Sequence, residues 1–200
     1  MVRTYKLKDI VLGHSVVLVD TCALRTNHEQ CKRSLTPGYN KRDISRLELE
    51  SIQFIIDSFR KYPNLCISYD VIKELYGNHR GDRLEGRGSL VATNRKIQRE
   101  ILRLKQTYEL RPISLDERER QIYADLEDFC SDEITRGLSP VDKKILFFSI
   151  IFAKTRGVTA LLTQERKLTR AVLYLMNQEM LPRNLVDVFY RQEVDEFIDA

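Results

Sequence analysis

Residues 15–20 read SVVLVD: four consecutive apolar side chains, three of them β-branched, closed by an aspartate. A run of this kind predicts a short buried strand, with its start open on the amino-terminal side. Outward from it, residues 25–42 carry Pro37, Gly38 and many polar groups, and read as a long surface loop. Asp43 is placed to cap a helix whose apolar positions Ile44, Leu47, Ile52, Ile55 and Phe59 follow helical spacing to about Tyr62. Residues 65–69 (LCISY) predict a second strand, followed by a short helix through Leu75. Gly77, Gly81, Gly86 and Gly88 then punctuate a glycine- and arginine-rich loop.

Further on, Ile97, Ile101, Leu104 and Tyr108 mark another helix. Residues 110–115 (LRPISL) predict an edge strand, because Pro112 has no N–H for a central ladder. Asp116 with Glu119 has the form of a capping box opening a helix through Cys130. Ser139 and Pro140 start a strongly apolar helix to Arg156, serine as N-cap and proline at the first helical position. Residues 159–163 (TALLT) predict a strand. Leu168, Ala171, Val172, Leu175 and Met176 form a helical stripe after it, and residues 185–189 a last strand before an acidic terminal helix. Strands alternating with helices imply an α/β fold: a three-layer α/β/α sandwich around a mostly parallel sheet of four to five strands. The expected organisation is a single domain over residues 1–200, with basic loop elaborations at about 25–42 and 77–96.

Composition sets the outer limits. With 42% hydrophobic and 31% charged residues in 200, the chain can build a core, which excludes disordered and collagen-like classes. The longest apolar stretch, residues 145–153, is interrupted by Ser149 and falls far short of the roughly 20 residues that span a bilayer. The first 14 residues hold no apolar signal-peptide core, so the expectation is a soluble, cytoplasmic protein without a membrane partner. Cys22, Cys31, Cys66 and Cys130 show no CxxC spacing, which argues against a zinc ribbon and for packed thiols.

Net charge is only +4, but its distribution is uneven. Residues 25–46 hold six basic against two acidic side chains, and residues 76–106 eight against three. Residues 111–135 reverse the balance, three against eight. Two basic segments are the footprint expected of a polyanion partner, and equally of solvated helix faces.

The acids fall where a parallel sheet presents ligands, at the carboxyl ends of its strands. Asp20 ends the first strand, and Glu74 lies in the helix after the second. Asp142 is the third residue of the helix capped by Ser139, and Glu165 comes two residues after the TALLT strand. Each alone has a structural role open to it: a turn for Asp20, a solvated helix face for Glu74, the helix dipole for Asp142 and Glu165. Together they make a cluster that resists joint ionisation unless a cation relieves it. Mg²⁺ or Mn²⁺ suits carboxylate and water oxygens, and supports phosphodiester hydrolysis.

The segments VVLVDTCAL, ISYDVIKEL, LSPVDKKILFFSIIFAK and LLTQERKL occur in an order and spacing that resembles PIN-domain nucleases, over about residues 15–190. The resemblance implies a metal-dependent nuclease using one or two Mg²⁺ or Mn²⁺ ions, most often an endoribonuclease on single-stranded or structured RNA. It implies Asp20, Glu74 and Asp142 as the core catalytic and metal-site acids, with Glu165 as the fourth. The fourth motif departs from the family, with Thr163, Gln164 and Glu165 where threonine, asparagine and aspartate are usual. The extra methylene moves the carboxylate by about 1 Å, a displacement that matters in catalysis and bears on the second ion. Thr21 and Thr163 stand near as supporting hydroxyls.

For the phosphate backbone the expected contacts are Arg80, Arg83, Arg87, Arg95 and Lys96, then Lys32, Arg33, Lys41 and Arg42. Tyr39 and Tyr76 are placed to stack on bases or to pack the core edge, and His79 and Lys143 are further phosphate candidates. The alternative is a PIN-like RNA- or protein-binding module, catalytically weak or inactive. DNA is the less favoured substrate, because acids do not tell ribose from deoxyribose. A homodimer through residues 186–190 and an inhibitory or partner protein are compatible with the chain.

Overall fold

Strand β1 (Val16–Val19) is buried along its whole length, as its unbroken apolar run requires. In the computed structural model, which describes residues 4–24, 41–84, 91–129, 132–177, 181, 185–190 and 193–194, β1 lies inside a sheet. On one side it pairs with β2 (Leu65–Ile67), Val17 opposite Leu65. On the other it pairs with β3 (Thr159–Thr163), Val17 opposite Ala160. Strand β4 (Val186–Tyr190) completes the order β2-β1-β3-β4, and every pairing is parallel.

Helices flank this sheet and close a three-layer sandwich. Helix α1 (Leu7–Gly13) precedes β1, so the strand does not begin earlier than Val16. The short α2 (Thr21–Leu24) follows it, then α3 (Lys41–Lys61) packs on β2. Helix α4 (Tyr69–Leu84) leaves β2, and α5 (Val91–Leu110) packs on both α3 and α4. Then come α6 (Glu117–Phe129), α7 (Asp132–Thr135) and α8 (Pro140–Thr155), and α9 (Arg166–Asn177) joins β3 to β4. Nine consecutive residues of α8, Ile145 to Ala153, are buried, and α8 touches β1, β3 and β4. A helix apolar all round belongs inside a core.

Several expectations fail in instructive ways. The described residues form a four-stranded sheet, within the expected four to five, but residues 110–115 make no strand. Pro112 withholds a donor, and the Arg111 guanidinium replaces a ladder by donating to the carbonyls of Phe59 (2.6 Å), Tyr62 (3.0 Å) and Leu65 (3.2 Å). The second strand stops at Ile67, and Tyr69 already opens α4. That helix does not end at Leu75 but runs through Gly77 and Gly81 to Leu84, so the 77–96 segment is helix at both ends rather than a loop elaboration. Interior glycine costs a helix only about 1 kcal/mol each, which packing against α5 outweighs. Helix α3 starts at Lys41, ahead of Asp43, so Asp43 is inside it and not its cap. Residues 25–40, 85–90 and the acidic terminus after Val194 lie outside the described residues.

Candidate active site

The chain steps from β1 to β2 on one side, then crosses to β3 on the other. The order of strands therefore reverses between β1 and β3, which opens a crevice at their carboxyl ends. Asp20 and Thr163 stand at those two ends. Asp20 is fully buried. Its Oδ1 accepts the Thr21 backbone N–H (2.7 Å) and its Oδ2 accepts the Thr163 hydroxyl (2.6 Å).

Glu74, in the second turn of α4, comes to the same place: its Oε2 accepts the Thr21 hydroxyl at 2.5 Å. Thr163 faces two ways as well, donating to Asp20 and accepting the Glu165 N–H at 2.9 Å. Two threonines thus tie Asp20 to Glu74 on one side and to Glu165 on the other. Asp142 arrives from α8, where it closes a capping box. Its Oδ2 accepts the Ser139 N–H (3.0 Å), while the Ser139 hydroxyl accepts the Asp142 N–H (3.1 Å). Glu165 likewise caps α9, its Oε1 accepting the Lys167 N–H at 3.0 Å.

Electrostatics report the convergence. Burial pushes the Asp20 carboxyl up to about 7; the Thr163 bond opposes this, and the charges of Asp142 and Glu74 add to it. The Cys22 thiol is raised by burial and then by the charges of Asp20, Asp142, Glu165 and Glu74, so all four acids act on one point beside α2. Among the described residues, none of the four makes an ion pair with lysine or arginine. In the arrangement seen, no three His, Cys, Asp or Glu side chains among the described residues stand close enough to share a metal ion. The donor set nevertheless fits a hard divalent cation: oxygen ligands only, around a buried carboxylate whose neighbours are negative and whose partners are the Thr163 hydroxyl and the Thr21 N–H.

The predicted basic contacts divide. Arg95 and Lys96 are exposed on α5. Arg80, Arg83 and His79 fall on α4 and Lys41 and Arg42 on α3, but the placement of their side chains lies outside the described residues, as do Arg87, Lys32, Arg33 and Tyr39 altogether. Tyr76 is 43% exposed on α4. Missed by the sequence reading is Asp70, whose Oδ2 accepts Lys144 Nζ at 2.7 Å. The sequence shows Asp70 one turn before Glu74 and Lys144 two residues after Asp142, but nothing in it joins the two.

No protein-family model, no curated protein and no solved structure matches this chain. Among the described residues no helix is long and apolar enough to cross a membrane.

Proposed function

We propose that the chain is a PIN-like, metal-dependent nuclease that hydrolyses RNA in the cytoplasm, where Cys22 and Cys66 stay reduced. The observation that carries this reading is Asp20: a fully buried carboxylate, pushed toward neutrality by burial and by two further acids, with a hydroxyl and a backbone N–H as its partners and no ion pair to a lysine or arginine among the described residues. Such a group is unfavourable for the fold alone and useful to a ligand that brings positive charge.

Asp20, Glu74 and Asp142 would hold Mg²⁺ or Mn²⁺, with Glu165 as a fourth ligand or a positioning group. The bound ion supplies Lewis-acid activation of water and neutralises charge on the leaving oxygen. The protein's own part is positioning. Thr163 and the Thr21 N–H fix both oxygens of Asp20, and the Thr21 hydroxyl orients Glu74. Asp142 rides on the end of the buried helix α8, which removes its freedom to drift. Exposed Arg95 and Lys96 are suited to hold the phosphate backbone.

The test is cleavage of a mixed-sequence single-stranded RNA with Mn²⁺, with EDTA, and with Asp142→Asn purified identically. The expected result is a fall of at least about a hundredfold in both controls, with the fold unchanged. Activity that survives Asp142→Asn refutes the site. A second reading, a module that binds RNA without cutting, is favoured by the helix-capping roles of Asp142 and Glu165. It predicts salt-sensitive RNA affinity that is indifferent to all four acids.

A further inference from the structure

The opening turns of α4 and α8 carry, besides Glu74 and Asp142, a second polar set. Asp70 lies one turn before Glu74, about 5–6 Å away along the helix surface. Lys143 and Lys144 follow Asp142 directly. With Tyr123 and Glu127 of α6 and Phe147 of α8, they line an open cleft of ≈ 480 Å³. That volume lies within the range of small-ligand sites. The cleft therefore shares two of its walls with the acid cluster.

Its lining has the parts of a nucleotide site. Half-buried Tyr123 packs edge-to-face on the buried Phe147, ring centroids 5.5 Å apart, which fixes its ring as a surface on which a base can rest. Lys144 is committed to Asp70. Lys143 forms no ion pair with any described residue, which leaves its ammonium for an incoming anion. Two ammonium groups face two carboxylates, Asp70 and Glu127, so the cleft has no large positive excess. It suits one phosphate attached to a base with hydrogen-bonding edges, rather than polyphosphate or inorganic phosphate.

We propose that this cleft is a subsite for one nucleotide of the bound strand, the base against Tyr123 and the phosphate on Lys143. The subsite presupposes the nuclease reading above, yet its occupancy is measurable without cleavage. Isothermal titration of the full chain in EDTA would use the four nucleoside 5′-monophosphates, with ribose 5-phosphate as the base-free control.

At least one monophosphate is expected to bind, and ribose 5-phosphate about tenfold more weakly, since stacking is lost. Lys143→Ala and Tyr123→Leu should each weaken binding roughly tenfold. Lys154→Ala, an exposed lysine elsewhere on α8, should leave it unchanged. Circular dichroism checks Tyr123→Leu, and Lys143→Ala carries the test if that variant misfolds. The subsite is overturned if no monophosphate binds at millimolar concentration, if Lys143→Ala has no effect, or if Lys154→Ala weakens binding equally. Monophosphate binding with this pattern in a chain that cuts no RNA keeps the subsite and removes the nuclease. RNA cleavage without monophosphate binding does the reverse.

Discussion

Asp20 and Glu119 are both almost wholly removed from water, and their surroundings push them in opposite directions. Asp20 and Glu119 are 0% and 1% exposed. Glu119 meets the Arg156 guanidinium in a bidentate pair, Nε to Oε1 and Nη2 to Oε2 at 2.7 Å each. It also accepts the Thr155 hydroxyl and closes a capping box with Asp116 at the start of α6. The bonds from Arg156 hold it down at about 2 despite its burial. Asp20 has hydroxyl and amide donors, negative neighbours and no ion pair among the described residues, and sits near 7. At Asp20, which lies deeper, burial dominates; at Glu119 the bonds from Arg156 outweigh it. Where the fold provides the counter-charge, a buried acid joins α6 to α8; where the described residues provide none, the acid is left in need of one.

The sharpest way to break this contrast is to neutralise each acid in turn. Glu119→Gln leaves Arg156 without its carboxylate and should destabilise the fold by about 3 kcal/mol in urea unfolding. Asp20→Asn removes an ionised buried group and should raise the metal-free Tm at pH 8 while abolishing cleavage. A fall in stability for both variants would erase the distinction.

Titration sharpens the contrast next. Asp20 ordinarily titrates near 3.8 and here near 7, so between those values the folded protein holds a proton that the unfolded chain has released. Its contribution to stability is complete below 3.8 and is lost as pH rises through 7. Glu119 runs the other way: its contribution is present above 4.5 and disappears as pH falls through about 2. Calorimetry without metal should show both slopes. Mn²⁺ should raise stability by about 2.7 kcal/mol at a hundred times its dissociation constant. At one fixed Mn²⁺ concentration the gain should be larger at pH 8 than at pH 5.5, where the ion must displace a proton and binds more weakly. An Mn²⁺ gain independent of pH would remove Asp20 from the metal site.

The smallest expected effect belongs to Thr163→Val, which keeps the shape and deletes the hydroxyl shared by Asp20 and the Glu165 N–H. A loss of about 1–2 kcal/mol is expected in urea. That hydroxyl also holds the Asp20 pKa down, so the onset of cleavage should move to higher pH. An unchanged pH–rate profile would show that the bond does not tune Asp20.

Legibility in the sequence followed burial. The strand at Val16–Val19, the TALLT strand and the Ser139-capped helix announce themselves because each is a continuous apolar run with an unambiguous boundary. The four acids were readable because strand ends in a parallel sheet locate them, and the capping box of Asp116 and Glu119 because its spacing is local. What was not legible depended on distant partners. Gly77 and Gly81 look like breakers until α5 is seen against α4, and residues 110–115 look like a strand until Arg111 reaches three carbonyls. The Asp70–Lys144 pair joins residues 74 apart in sequence, and no periodicity announces that.

Arg111 has a consequence beyond the chain itself. An outermost strand is where one protein molecule can add its own strands to another and begin an aggregate. Beside β2, that position is taken by a guanidinium lying 4.2 Å over the Phe59 ring and bonded to the Leu65 carbonyl, with Pro112 unable to donate next to it. A strand arriving from another molecule would have to expel a charge from three carbonyls to find a partner there. The same residue that defeats the reading of 110–115 as a strand guards this margin of the sheet against growth.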